Sequence, residues 1–161
     1  QRVGIEELSE GEVFVIDARG VTSAGTMGNI LATRIHVRGG VGIVTDGAYR
    51  DSPAISEIGI PAYAVAMNAH SNKTVHHPSE IQVPIACGGV AVFPGDIIVG
   101  DSEGVVVIPP HLAETVAESA KVMEDREDFI VERIRSGASI IGNYPPDEKT
   151  LSEFEEWKRN R

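Results

Sequence analysis

The order of apolar runs and turn-forming residues along the chain predicts strands separated by helices. Three nearly continuous apolar runs are typical of buried strands, namely Val13–Asp17, Val41–Thr45 and Ala62–Met67. Between them, mixed apolar spacing predicts one helix that begins near Asn29 and a shorter one over Ser52–Ile58, and glycines follow both. The pattern therefore favours an α/β sheet flanked by helices.

The rest of the chain carries different patterns. Residues 81–109 contain short apolar runs cut by Gly-Gly, Pro-Gly-Asp and Asp-Ser-Glu-Gly turns, which predicts an antiparallel meander or a small barrel-like unit. Apolar residues at helical spacing predict a long amphipathic helix from His111 to Gly137. The tail, residues 138–161, predicts an extended piece, a Pro-Pro break and a short charged helix that packs on the domain or on a neighbouring subunit.

The beginning of the chain predicts little regular structure. Residues 1–12 are typical of a loop or the end of a helix, so no helix is expected before the first strand to cover one side of the sheet. We therefore expect that another subunit covers this side, or that the 161 residues are one domain lacking an N-terminal portion.

Composition narrows the class of protein. With 161 residues and 42% hydrophobic residues, the chain can form one domain with a substantial core. A net charge of −10 argues against nucleic acid as a direct partner, because phosphates would be repelled. The single cysteine, Cys87, excludes an internal disulfide, and the sequence shows neither a membrane-spanning apolar run nor a signal peptide. We therefore expect a cytoplasmic protein without a membrane partner.

One stretch of the chain combines three features of a site for a small acid. Gly28–Leu31 predicts a helix N-terminus whose free backbone N–H groups suit an anion. Arg50 and Asp51 follow the Val41–Thr45 strand, and they offer a fork for a carboxylate and an oxygen ligand for a divalent metal. Asp17, at the end of another strand, is expected to border the same place because ligands gather at carboxyl ends of strands. By composition alone, Arg50 and Asp51 are equally consistent with a surface ion pair.

Other polar residues are interpreted more conservatively. Asp46-Gly47, Asp96 and Asp101 are typical turn formers, and the EDRED run is typical of a solvated helix face. The histidines of the His70–His77 loop match no zinc spacing and favour a solvated loop, although such a loop can line a substrate entrance.

Several segments resemble the RraA-like family, which includes regulators of ribonuclease E activity and 4-hydroxy-4-methyl-2-oxoglutarate aldolases. The matching segments are GNILA, RGGVGIVTDGAYRD, IGIPAYA and VPIACGGVAVFPGDIIVGDSEGVVVIP, in the family's order. The resemblance implies a layered β/β/α swivelling-domain fold with a long C-terminal helix. It also implies a homotrimer or a homohexamer with sites between adjacent subunits.

For the aldolase members, the resemblance implies a class II lyase site. The backbone of Gly28, Asn29, Ile30 and Leu31, together with Arg50, would hold the pyruvoyl part of a 2-keto acid. Asp51 would bind Mg²⁺ or Mn²⁺, which polarises the carbonyl and stabilises the enolate that C–C cleavage or decarboxylation leaves.

Two positions depart from the family pattern, and one acidic partner is ambiguous. Asn29 replaces the family's second acidic residue, and Ala54 stands where the aldolase signature has an acid three residues after Asp51. In the family, the C-terminal helix of a neighbouring subunit contributes a further acidic residue that does not bind the metal directly. The resemblance implies that Glu124 or Glu127 has this role here.

Three functions remain open at this point. The first is a metal-dependent aldolase or decarboxylase that releases pyruvate from a small 2-keto acid, with Arg50 and Asp51 as its catalytic residues. The second is a protein-binding inhibitor of ribonuclease E, whose basic RNA-binding region would suit the acidic surface. The third is a related sugar-acid lyase or dehydratase, which the unusual His70–His77 loop motivates.

Overall fold

A computed structural model describes residues 1–160 of the chain. These residues form two compact units, Gln1–Pro110 and His111–Arg161, and each unit is described by itself below. Within residues 1–160, no helix is both long enough and apolar enough to cross a membrane.

A four-stranded parallel sheet forms the centre of the first unit. Its strands are β1 (Val13–Ile16), β2 (Gly25–Met27), β3 (Gly42–Tyr49) and β4 (Ala62–Met67). The central strand is β3, which pairs along one edge with β1 and then β2, and along the other edge with β4. Every residue of β3 is buried, as a strand with neighbours on both edges and cover on both faces requires.

The central strand is longer than the sequence predicts. The apolar run ends at Thr45, and Asp46-Gly47 was interpreted as turn chemistry, but β3 continues through both residues to Tyr49. The Asp46 carboxylate accepts hydrogen bonds from the backbone N–H groups of Ala18 (2.6 Å) and Gly20 (2.9 Å). A polar residue is tolerated at this buried position because its charge is matched by two donors.

Three helices supply the main core of the first unit. They are α1 (Arg2–Glu7), α2 (Asn29–Val37) and α3 (Ser52–Ser56). The prediction that no helix precedes β1 is wrong, because Ile5 of α1 and the following Leu8 are buried in the same cluster as Ile35 and Ile43. The predicted helix start at Asn29 and the predicted strand Ala62–Met67 are confirmed.

Two antiparallel hairpins complete the first unit. They pair β5 (Ile85–Cys87) with β6 (Val90–Val92), and β7 (Ile97–Gly100) with β8 (Val105–Ile108). The predicted antiparallel strands are confirmed, but they form two separate two-stranded sheets and not one meander. Asp96 and Asp101 accept backbone N–H groups in the turns, as predicted. A cavity of about 530 Å³ lies between the parallel sheet and the hairpins.

The second unit is a pair of helices. The long helix α4 (Ala113–Arg135) is two residues shorter at each end than its predicted bounds, and Gly137 follows it with φ +94°. After the Pro-Pro break, α5 (Glu148–Arg159) packs Phe154 and Trp157 against Phe129 of α4. The long C-terminal helix and the short charged helix of the tail are therefore confirmed.

Candidate active site

The ends of β2 and β3 bring the predicted site residues together. Met27, the last residue of β2, lies opposite Tyr49, the last residue of β3. The N–H of Arg50 donates to the carbonyl oxygen of Met27 at 2.8 Å, which continues this pairing past the strand. Gly28 then caps α2 in an extended conformation, so the start of the helix lies beside the chain that leaves β3.

Two glycines allow this close approach. A Cβ atom on Gly25 would lie 2.8 Å from the backbone nitrogen of Arg50, which is closer than real Cβ atoms come to other atoms. A Cβ atom on Gly28 would lie 2.7 Å from Oδ2 of Asp51 and 3.2 Å from a guanidinium nitrogen of Arg50. Gly28 therefore leaves the space that the Asp51 carboxylate and the Arg50 side chain occupy.

The Asp51 carboxylate connects the three parts of the site. Its Oδ2 atom accepts from Nε of Arg50 at 3.3 Å and from the backbone N–H of Asn29 at 3.4 Å. Both charged side chains are partly exposed, by 43% for Arg50 and 35% for Asp51, so a small solute can reach them. Asp51 has φ +61° and ψ +33°, a left-handed conformation that is uncommon outside glycine and is enriched at functional sites.

The start of α2 carries backbone N–H groups that precede the helical hydrogen bonds, and the N–H of Asn29 donates instead to Asp51. The first intrahelical bond runs from the N–H of Ala32 to the carbonyl oxygen of Gly28 at 3.2 Å, so the N–H groups of residues 29–31 precede the helical ladder. Such groups suit an anion. The Ile30 side chain is 77% exposed, whereas the Leu31 side chain packs on the core.

The donor set fits a magnesium-type ion better than a transition metal held by several protein ligands. Among residues 1–160, no group of three or more His, Cys, Asp and Glu side chains is arranged to hold a metal. Mg²⁺ commonly takes one or two carboxylates and keeps several waters, and Mn²⁺ accepts similar oxygen ligands. Asp51 supplies one such carboxylate at a solvent-accessible position, and the backbone nitrogen of Asn29 lies 3.4 Å from it.

Other predicted residues lie elsewhere. Asp17 follows Ile16, the last residue of β1, which pairs with Thr45 of β3. Asp17 is therefore level with Asp46, and it lies about 13 Å from Arg50 along the strand direction. Its carboxylate accepts from the N–H of Arg19 at 2.7 Å, which is turn chemistry, and its expected place at the border of the site is wrong. Ala54 lies half-buried in α3, three residues after Asp51.

The two acidic candidates from the long helix belong to the second unit. Glu124 and Glu127 are both exposed on α4. Their assignment as acidic contacts from a neighbouring subunit stays a prediction.

The path of the loop after β4 was not identified from the sequence, which indicated only that the His70–His77 loop can line a substrate entrance. After β4, the N–H of Asn68 donates to the carbonyl oxygen of Tyr49 at 2.8 Å. Two residues later, the carbonyl oxygen of His70 accepts from the N–H of Gly25 at 2.9 Å. The loop therefore crosses the carboxyl end of β3 and reaches the far side of β2. The Asn72 side chain donates to the carbonyl oxygen of Thr26 at 3.2 Å and holds it there. An asparagine directly after a predicted strand was the available signal.

His70, His77 and the cysteine show ordinary structural contacts, whereas the buried Nε2 atom of His76 has no hydrogen-bond partner among residues 1–160. His70 bonds to Thr74 at 3.3 Å within the loop, and His77 is exposed. The Cys87 thiol donates to the carbonyl oxygen of Ile16 at 3.7 Å, and burial, with a smaller contribution from the Asp46 carboxylate, raises its pKa. A raised pKa makes the thiol a poor nucleophile, so Cys87 is not used in the mechanism.

Comparison with known proteins identifies the fold. A solved Pseudomonas syringae protein of unknown function superposes with a TM-score of 0.79 at 29% identity, covering 87% of this chain and 70% of its own. A Streptomyces coelicolor structure, described as an unusual member of the RNase ES inhibitor RraA protein family, has a TM-score of 0.76 at 36% identity, with coverages of 83% and 67%. The α/β fold with a long C-terminal helix is therefore confirmed.

Sequence comparison gives the family. A Halalkalibacterium halodurans protein named "Putative 4-hydroxy-4-methyl-2-oxoglutarate aldolase" is 39% identical over 138 residues, which are 86% of this chain and 65% of that protein. The chain thus spans slightly less than two thirds of this relative. The RraA-like family model, described as Aldolase/RraA, matches residues 1–107. The chain belongs to the RraA-like family.

Proposed function

We propose that the protein is a divalent-metal-dependent lyase that cleaves a small 2-keto acid and releases pyruvate. The observation that carries the proposal is the meeting of Arg50, Asp51 and the start of α2 within 3.4 Å at the carboxyl end of the sheet. A cation, an anionic metal ligand and free backbone donors at one accessible place suit an acid whose keto group must be polarised. The name of the Halalkalibacterium relative supports this class of reaction.

Each residue has a distinct role in the proposed reaction. The Arg50 guanidinium binds the substrate carboxylate, and the N–H groups of Asn29, Ile30 and Leu31 offer further donors to the same acid. Asp51 would hold Mg²⁺ or Mn²⁺, and the Asn29 amide would hydrogen-bond to a water on the metal without binding the metal itself. When bound, the metal ion supplies the Lewis acid for the keto group.

The charged groups at the site indicate which group delivers the proton to the product. Among the described residues, Asp51 is the one carboxylate that hydrogen bonds to Arg50 or to the Asn29 backbone. As a metal ligand it must stay deprotonated, so we assign the proton delivered to the pyruvate carbon to water.

We further propose that the active assembly is a homotrimer or a homohexamer with sites between subunits. Large apolar side chains on β4, on β8 and just after β6 support an interface: Val65 is 71% exposed, Met67 75%, Phe93 55% and Val106 58%. Light scattering during size-exclusion chromatography would test this proposal, since a monomer at micromolar concentration would contradict it.

The lyase proposal is tested by pyruvate release from oxaloacetate, with and without Mg²⁺ or Mn²⁺. The full-length natural protein should be used, because the chain spans 65% of the Halalkalibacterium relative. We expect metal-dependent turnover that Arg50→Ala and Asp51→Gly abolish; glycine is chosen at residue 51 because it tolerates φ +61°. Arg34→Ala and Glu57→Ala remove the same charges from exposed side chains and should leave turnover unchanged. No turnover by an assembled, metal-loaded protein would contradict the proposal.

A ribonuclease inhibitor is the second candidate function. The description of the Streptomyces structure as a member of an RNase inhibitor family supports it, as does the net charge of −10, which favours a basic partner. The test measures inhibition of RNA cleavage by ribonuclease E at low and high salt. Inhibition that survives Arg50→Ala and weakens with salt would favour the regulator, whereas no inhibition would exclude ribonuclease E as the target.

A further inference from the structure

The Asp51 carboxylate lies on two of the donors that the proposed function assigns to the substrate carboxylate. Its Oδ2 atom is 3.3 Å from Nε of Arg50 and 3.4 Å from the backbone nitrogen of Asn29. The absence of a side chain at Gly28 leaves room for this oxygen, since a Cβ atom there would lie 2.7 Å from it.

The local structure shows that this placement is specific. Asp51 is the residue that precedes α3, and its carbonyl oxygen accepts from the N–H of Ile55 at 3.1 Å. An aspartate in this position usually turns its side chain back to cap its own helix. Here the side chain makes no such bond and is directed instead to the start of α2. Asp51 thus acts as an anion bound at another helix.

We propose that Asp51 occupies the carboxylate position of its own active site until a divalent metal draws it away. Two carboxylates cannot share one guanidinium nitrogen and one N–H group, because they would repel each other and compete for the same donors. A metal ion bound by Asp51 becomes the preferred partner of this carboxylate and leaves Arg50 and the Asn29 N–H for the substrate. Metal therefore binds first and the keto acid second.

This inference rests on the proposed function for the identity of the ligand, but its test does not depend on turnover. Pyruvate binding is measured by isothermal titration calorimetry in EDTA and, separately, in Mg²⁺. The proteins are the full-length wild type, Asp51→Gly and Asp51→Asn. Glycine and asparagine both tolerate the left-handed backbone, so these variants are expected to fold.

The two variants separate occupancy from charge. Without metal, Asp51→Gly should bind pyruvate about tenfold more tightly than the wild type. The reason is that Nε of Arg50 and the N–H of Asn29 both become available to the pyruvate carboxylate. Asp51→Asn removes the same charge but keeps an oxygen that can accept from Asn29, so its affinity should be intermediate. Mg²⁺ should strengthen pyruvate binding by the wild type and leave Asp51→Gly unaffected.

Two further proteins serve as controls. Glu57→Ala removes an exposed negative charge and should bind metal-free pyruvate as weakly as the wild type. Adding Arg50→Ala to Asp51→Gly should abolish the gained binding, which locates the pyruvate at this site.

Several results would overturn the inference. Equal metal-free affinity of Asp51→Gly and the wild type would show that Asp51 does not compete, and equal affinity of Asp51→Gly and Asp51→Asn would show that charge alone matters. No pyruvate binding by any protein would also refute it. Tighter metal-free pyruvate binding by Asp51→Gly, together with no oxaloacetate turnover by the metal-loaded wild type, would refute the lyase and keep the occupied anion site. Oxaloacetate turnover by the wild type, together with equal metal-free pyruvate affinity of Asp51→Gly and the wild type, would refute the occupied anion site and keep the lyase.

Discussion

A single added methyl group tests the proposed geometry of the site. Gly28→Ala would place Cβ 2.7 Å from Oδ2 of Asp51, whereas ordinary contact begins near 3.4 Å. The added methyl group would also lie 3.2 Å from a guanidinium nitrogen of Arg50, so it would fill the space in which the substrate carboxylate is proposed to replace Asp51. Displacements of about 1 Å at a reacting centre cost up to about 100-fold in rate. We expect metal-dependent pyruvate release from oxaloacetate to fall by about 10- to 100-fold.

The same substitution should affect folding little. Gly28 has φ −124° and ψ 177°, an extended conformation that alanine adopts without strain. Alanine is a slightly poorer helix cap than glycine, so the free energy of unfolding should change by about 1 kcal/mol or less. A urea titration followed by circular dichroism measures this change beside the rate.

Gly104→Ala is the matched control for this experiment. Apart from the two chain neighbours of Gly104, no atom of residues 1–160 lies within 4 Å of the position a Cβ would take there, and its φ is outside the left-handed range. Both rate and stability should therefore match the wild type. A Gly28→Ala rate within threefold of wild type would refute the idea that the substrate carboxylate lies beside Gly28. A loss of several kcal/mol in unfolding free energy would show instead that Gly28 is structural.

Three further substitutions probe the fold around the site. Ile43→Ala removes a fully buried side chain from β3 and should lower the free energy of unfolding by about 2–5 kcal/mol in urea titrations; a loss below about 1 kcal/mol would contradict its place in the core. Asp46→Asn weakens two hydrogen bonds to the Ala18–Gly20 turn and should cost about 2 kcal/mol by the same measurement, and an unchanged midpoint would show that these bonds do not stabilise the protein. Tyr49→Phe should be neutral or stabilising at pH 7, because the buried hydroxyl has no hydrogen-bond partner among residues 1–160. Burial, with a smaller contribution from Cys87, raises the pKa of Tyr49 in the folded state, so stability should fall as pH rises above the ordinary value of 10.0. Thermal unfolding between pH 8 and 11 should show this loss in the wild type and a smaller loss in Tyr49→Phe; equal losses would contradict the assignment.

The separate helices and strands followed from local sequence. The apolar run of Ala62–Met67 and the start of α2 at Asn29 were predicted at the observed residues, because hydrophobic spacing and flanking glycines act over a few positions. The order of residues after the apolar run, and then the family resemblance, indicated Arg50 and Asp51 as candidate site residues, and their roles stay a prediction. The end of β3 was missed because Asp46-Gly47 looks like a turn when its neighbours are unknown.

Tertiary structure decided which residues meet and in which direction they point. Asp46 is a buried strand residue because two N–H groups from a turn 26 to 28 residues earlier satisfy its carboxylate. The loop after β4 crosses the end of β3 because Asn68 bonds to Tyr49, a pairing that spacing along the chain does not reveal. The sequence alone determined that an acid stands at residue 51. Its direction, towards α2 and not its own helix, depends on the register that places Gly28 beside β3.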